Sequence, residues 1–560
     1  MTQSRYLRPK LPEFHMIVGS AMNIYINTLL ISTVFTMTYI VIGNALVPVT
    51  RCRSHRQLMT MLAERVDPVQ VSTVPEFNYM KPASVRSFAV TADTSMIRQD
   101  HPVIKVVLDR WRKSSLPGNR GEDDNNKVAL AIEGGGMRGC VSAGATAALQ
   151  FLGLADSVDI VYGSSAGSMV GSYFITRQTG GMGIYHDILP SAGMSFIDKR
   201  KLLVALLTPS FVSLEGRSAD VFNLDFLLDG VMAQTQPLDW HAFKANQAVQ
   251  PLKIVATSIR SFEPVVMSFA DGDFFDLEGM LMCIRSSMGV PGITGGLMGR
   301  AVMSSGSEPL NKPPAHPIVL GERESQDSPY HHALPRGKRR GKRMGKNRYL
   351  KGASLPSEWE LDPLVDALVA EPIPYRSAAK DGATHIIALR TRPDPSPILG
   401  KGPGVYEKII SRRFFARYAE NEAANFMLES LHHRVYAEDL VRLNEAAHGS
   451  PQGVALEEAG GRGVHLLPIA PSLDCVEVDQ LEMRRDRLLA GMRDGARRTL
   501  QLFYPAMASI TASSGQEEED GLQAEIDMMV ELLFPFDGPT STVEDFLMCE
   551  THQQGHTYDK

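Results

Sequence analysis

Along the middle of the chain, short apolar runs end at glycines, and this pattern predicts strands handing over to helices. Val128 to Ile132 is such a run; it meets three consecutive glycines and is followed by an alanine-rich helical pattern from Val141 to Leu154. Val158 to Tyr162 repeats the arrangement, meeting Gly163 and then a small-residue helix from Ala166 to about Arg177. Further strand-like runs are Lys253 to Ala256 and His385 to Leu389, and Val405 to Leu443 has the charge-laced periodicity of one or two helices. Strands alternating with helices imply an α/β fold built on a mainly parallel central sheet with helices on both faces. We place the catalytic domain at residues 127–395 and a helical C-terminal part of it at residues 396–512.

The pattern breaks at residues 298–358, where Pro, Ser, Gly and charge dominate and a basic cluster runs from Arg336 to Lys351. This segment reads as a disordered insertion. Its basic cluster suits anionic lipid head groups or a nuclear address, and equally a solvated loop. Residues 51–126 read as a linker region with some helix, and residues 513–560 as an acidic tail with one helix.

No residue from Phe14 to Thr50 carries a full charge, and Ile24 to Val47 is apolar enough for a transmembrane helix, which needs about 20 such residues. Arg51, Arg53 and Arg56 follow it and place the downstream domain on the cytoplasmic side of a membrane. The competing expectation for residues 1–50 is a cleaved targeting peptide leading to an organelle, or an interfacial helix, with Arg5, Arg8 and Lys10 as its basic start.

Composition narrows this little. Apolar residues at 44% and charged residues at 21% are ordinary for a globular protein, and a net charge of -6 names no partner. No basic and aromatic interleaving points to nucleic acid. The five cysteines are scattered, which argues for a reducing compartment rather than a disulfide framework and offers no metal-ligand spacing.

Gly163-Ser164-Ser165-Ala166-Gly167 fits the Gly-x-Ser-x-Gly pattern at a predicted strand-to-helix turn, which makes Ser165 the candidate nucleophile. Upstream, Glu133-Gly134-Gly135-Gly136-Met137-Arg138-Gly139 ends another strand. Consecutive glycines let backbone N–H groups converge on one point, as an oxyanion requires. A phosphate-binding loop is the alternative, but the Gly-Lys-Ser/Thr ending is missing, and Gly134, Gly136 and Gly139 meet dinucleotide spacing only loosely. For a base, His385, His432, His433 and His448 follow in the chain; His385 lies in an apolar strand run, and His432 and His433 lie on a charged helix.

Together with Cys283-Ile284-Arg285-Ser286-Ser287-Met288-Gly289-Val290-Pro291-Gly292, the two glycine-rich loops resemble the patatin-like phospholipase family, in order and in context. The resemblance covers about residues 127–300 and 358–510 and implies a patatin-like three-layer sandwich. It also implies a Ser/Asp dyad without histidine. The family's aspartate opens an Asp-Gly-Gly or Asp-Gly-Ala signature; Asp366 takes that role here, with Ala367 in place of the glycine. Asp271-Gly272 has the literal dipeptide but precedes Ser286 to Gly292, in the wrong order for the family. The resemblance further implies an oxyanion hole at Gly134, Gly135, Gly136 and Met137, and no metal or cofactor. Arg138 would orient the loop, contact a phosphate head group, or form a structural salt bridge. The implied activity is hydrolysis of fatty acyl esters of a lipid substrate at a membrane surface, with acyl transfer or an inactive relative as alternatives.

Overall fold

The computed structural model describes residues 39–42, 45–48, 97, 100–201, 221–291, 293–294, 298–303, 317–319, 359–393, 407–408, 411, 422–475, 477–511 and 519–535. The chain divides into two units, Met1–Val74 and Pro75–Lys560. In the first, β1 (Tyr39–Ile42) pairs antiparallel with β2 (Ala45–Pro48), Ile42 opposite Ala45. β-branched residues flanking the Gly43-Asn44 dipeptide favour a two-residue hairpin. This corrects the expectation of a transmembrane helix through Val47: residues 39–48 of that stretch include two strands. Among the described residues no helix is long and apolar enough to cross a membrane. Residues 14–38 lie outside the described residues.

The second unit is a three-layer α/β sandwich. Its ten-stranded sheet has the order β11 (Val454–Ala455), β12 (Gly463–Ile469), β10 (His385–Leu389), β3 (Val128–Ile132), β4 (Ile160–Ser164), β5 (Leu252–Ser258), β9 (Trp359–Val365), β7 (Met298–Met303) and β8 (Ile318–Val319), with β6 (Pro264–Ser268) also paired to β5. The five strands from β12 to β5 run parallel; every pairing outside them is antiparallel. Successive side chains of a strand face opposite sides. Accordingly Val128, Leu130 and Ile132 enter one core while Ala129 and Ala131 enter a second.

The first core is closed by α1 (Pro102–Arg112), α2 (Gly139–Phe151), α3 (Ala166–Ile175) and, from far along the chain, a 27-residue helix at Arg485–Thr511. That long helix lies along α2 so closely that a Cβ on Gly144 would stand 1.9 Å from the Met492 carbonyl oxygen. Between α3 and the long helix come α4 (Leu277–Ser287), α5 (Tyr375–Lys380) and α6 (Leu431–Ala446); the long helix is α7 and Glu519–Leu533 is α8. Ala378 and Ala379 of α5 and Tyr436, Leu440 and Leu443 of α6 close the second core.

Two expectations meet a different outcome. The segment 396–512, expected to be helical, also contributes β11 and β12. Its His-Leu-Leu-Pro-Ile run joins the parallel sheet because Leu467 and Ile469 complete one core and Leu466 the other. The segment 298–358, expected to be disordered, begins with β7, includes β8 and is followed by β9; its basic cluster lies outside the described residues. Residues 51–126, expected as a linker region with some helix, contain α1, whose buried Arg110 reaches Asp124 and Asp159, both at 2.7 Å.

Candidate active site

Ser165 stands where β4 hands over to α3, with φ 51° and ψ -123°. A non-glycine residue in that region is strained, and the surrounding structure must hold it there. Two contacts do so: the Ser165 N–H donates to Ser287 Oγ at 2.7 Å, and Ser168 Oγ donates to the Ser165 carbonyl at 2.6 Å. The Ser287 hydroxyl in turn donates to the Val255 carbonyl of β5, so the last residue of α4 braces the turn against the sheet.

Asp366 follows the last residue of β9, which leaves the sheet beside β5. Its N–H donates to the Gly289 carbonyl at 2.9 Å, and its own carbonyl accepts from Thr257 Oγ1 at 3.0 Å. The side chain is buried, with Oδ1 accepting from the Leu368 N–H at 2.7 Å and Oδ2 accepting from Ser165 Oγ at 2.7 Å. Burial pushes the carboxyl up to about 6, while the Leu368 amide and the Ser165 hydroxyl favour its charged form. Ala367 opens a short 3-10 turn and has no positive φ, so alanine meets no strain where the family has glycine.

The glycine loop closes over the nucleophile. A Cβ on Gly134 would lie 2.7 Å from both the Ser164 carbonyl oxygen and Ser165 Cβ, so only glycine fits there without a shift of backbone. The loop then turns through φ 147° at Gly135 and 61° at Gly136. Of the four residues expected to supply oxyanion donors, two are engaged elsewhere: Gly134 N–H donates to the Pro372 carbonyl at 3.3 Å and Met137 N–H to the Gln480 carbonyl at 3.1 Å. The amides of Gly135 and Gly136 have no acceptor among the described residues. Arg138 is buried beside them, with Nε 3.2 Å from where a Gly135 Cβ would stand. It forms no salt bridge among the described residues, and Nε has no hydrogen-bond partner. Burial brings its guanidinium down to about 10, helped by Arg392 and opposed by Glu133.

Asp271 is elsewhere. It caps its own turn, accepting from Ser268 Oγ at 2.6 Å and pairing with Lys253, whose hydrogen bond holds its carboxyl low. The histidines weighed as bases also have other surroundings: His385 stacks on His465 with ring centroids 4.7 Å apart, His432 and His433 meet Glu407, and His448 is exposed. Sequence reasoning missed Thr257 and the bracing role of Ser287, although Ser287 lies in a segment that carries the family resemblance. It also missed buried Glu133, which accepts from Tyr436 Oη at 2.7 Å and from the Thr391 N–H.

The patatin-like phospholipase family model matches residues 130–378, a stretch that holds both Ser165 and Asp366. No curated protein matches the chain. Among solved structures, human GIVD cytosolic phospholipase A2 in complex with methyl gamma-linolenyl fluorophosphonate aligns at 18% identity over 34% of this chain and 28% of that one, with a TM-score of 0.19. The alignment thus spans less than a third of that phospholipase. VipD from Legionella pneumophila aligns at 12% identity over 76% of this chain and 86% of its own, with a TM-score of 0.20.

Proposed function

We propose that this chain is a lipid acyl hydrolase working through Ser165 and Asp366. The observation that carries the proposal is the 2.7 Å hydrogen bond from Ser165 Oγ to Asp366 Oδ2, made beside two glycine amides that lack acceptors among the described residues. Asp366 takes the Ser165 proton as Oγ attacks the acyl carbonyl carbon, and the N–H groups of Gly135 and Gly136 hold the oxyanion. Collapse of the tetrahedral intermediate expels the alcohol, which receives the proton from Asp366. Water then attacks the acyl-enzyme and gives its proton to Asp366. The fatty acid departs as Ser165 Oγ takes that proton back.

The family match supports a lipid ester as substrate. Exposed apolar Leu368, two residues past Asp366, supports work at a membrane or micelle surface. Arg138, whose Nε has no hydrogen-bond partner among the described residues beside the glycine loop, fits a phosphate-bearing head group.

The test is fatty acid release from mixed phospholipid micelles by the full chain, beside Ser165→Ala, Asp366→Asn and Asp271→Asn. Release should fall by about 10⁴-fold or more in the first two and stay within about twofold in the third. A folded parent protein that releases no fatty acid and resists a fluorophosphonate probe at Ser165 sinks the proposal. Acylated alcohol in place of free fatty acid would redirect it to acyl transfer.

A further inference from the structure

Away from the dyad, three side chains converge where none was expected to ligate. His432 Nε2 lies 3.2 Å from Glu407 Oε1, and His433 Nε2 lies 3.4 Å from the same oxygen. All three ligand atoms lie within 4.8 Å of one another. Ligand atoms bound tetrahedrally at the zinc distances of about 2.0–2.1 Å stand about 3.3–3.4 Å apart, so both separations match the edges of such a site. We propose that Glu407, His432 and His433 bind a divalent transition metal, zinc by preference of geometry, with one position left for water.

Consecutive residues of a regular helix point about 100° apart, so two neighbouring imidazoles meeting on one oxygen is not what a helix gives by default. Here α6 starts from Ser430 in the left-handed region at φ 58°, and the His433 N–H donates back to the Ser430 carbonyl at 3.1 Å. The two rings lie with centroids 4.0 Å apart. The Nδ1 atoms of both rings are buried and have no hydrogen-bond partner among the described residues, and Glu407 is an anchor the two imidazoles share. Two imidazoles and one carboxylate suit zinc, copper or nickel and are a poor match for calcium or magnesium. With no acceptor behind either ring, affinity should fall about 10–100-fold short of a fully supported site.

The metal would pin residue 407 to α6. One helical turn on, at the i+4 position that shares a face with His432, α6 carries Tyr436, which holds Glu133. The site is therefore a structural pin on the helix that braces the glycine loop, and it stands independently of the dyad chemistry.

The experiment uses the full chain, stripped with chelator, reloaded with zinc, desalted and assayed for bound metal and for melting temperature. We expect about one zinc per chain and a higher melting temperature when loaded. His433→Ala, which alters a half-buried side chain, and Glu407→Gln should each retain about a tenth as much zinc or less and lose the thermal shift, while circular dichroism stays that of the parent. Cys475→Ser should retain zinc as the parent does. A parent that retains no zinc, variants that retain it like the parent, or loss of zinc in Cys475→Ser would each overturn the proposal. Fatty acid release plays no part in these outcomes, so they are separable from any failure of the hydrolase proposal.

Discussion

Tyr436 donates its phenolic hydrogen to Glu133 at 2.7 Å, across 303 residues of sequence. Glu133 opens the glycine loop, and its other carboxylate oxygen accepts from the Thr391 N–H, so helix α6 and the end of β10 hold the entrance to the site from one side. Tyr436→Phe keeps the ring under the Arg392 guanidinium, which sits 5.3 Å from the ring centroid, and removes only the hydroxyl. Leaving a buried carboxylate oxygen short of a donor costs about 1–3 kcal/mol. Chemical denaturation of this variant should show a loss of that order, with kcat falling more than KM changes. An unchanged unfolding free energy would show the bond to be dispensable.

Ser287 is a positioning residue rather than a catalytic one. Its Oγ accepts from the Ser165 amide and donates to Val255, so Ser287→Ala removes the brace from a strained turn. We expect kcat to fall about 10-fold or more with KM little changed, as for a misplaced catalytic group. Labelling of Ser165 by a fluorophosphonate should slow in parallel. Equal kinetics in variant and parent would remove Ser287 from the site.

Asp366 must be ionised to take the serine proton. With its pKa raised to about 6, the ionised fraction grows as pH rises through 6 and saturates above it. The pH profile of kcat/KM should therefore climb to a plateau with its midpoint near 6, and at pH 5 lie about tenfold below that plateau. A midpoint near the ordinary aspartate value of 3.8 would mean that burial does not govern this carboxyl.

Glu371 sits behind the site, its carbonyl accepting from Ser164 Oγ at 2.8 Å and its carboxylate from Ser377. Burial raises its pKa from 4.5 to about 7, against the pull of Arg376. A raised folded-state value contributes stability below 4.5 that is lost as pH climbs through about 7. Glu371→Gln removes this titration. The parent's unfolding free energy relative to the variant should decline between those two pH values, by on the order of 1–3 kcal/mol. A difference independent of pH would assign the cost of the substitution to lost hydrogen bonds alone.

The local parts of this architecture were legible. Each apolar run, glycine loop and small-residue helix around Ser165 is contiguous, so pattern and motif locate them directly. What was hidden depends on segments meeting from afar. β9 reads Trp-Glu-Leu-Asp-Pro-Leu-Val, too polar for a buried strand, because it lies where the sheet turns antiparallel; Pro363, Leu364 and Val365 are buried at its end while Asp362 stays half-buried. The oxyanion donors could not be narrowed, since what engages Gly134 and Met137 are carbonyls of Pro372 and Gln480. His432 and His433 looked like residues of a charged helix because their partner, Glu407, lies on a separate segment.

β7 and β9 are neighbours in the sheet, with Met303 directly opposite Trp359. Everything between those residues leaves and returns at one rung. The two halves of the dyad are thus carried on opposite sides of an excursion whose ends are already clamped, and lengthening it adds closure entropy only slowly. A single cut in that excursion would place Ser165 and Asp366 on different polypeptides while leaving the pairing of β7 with β9 between them intact.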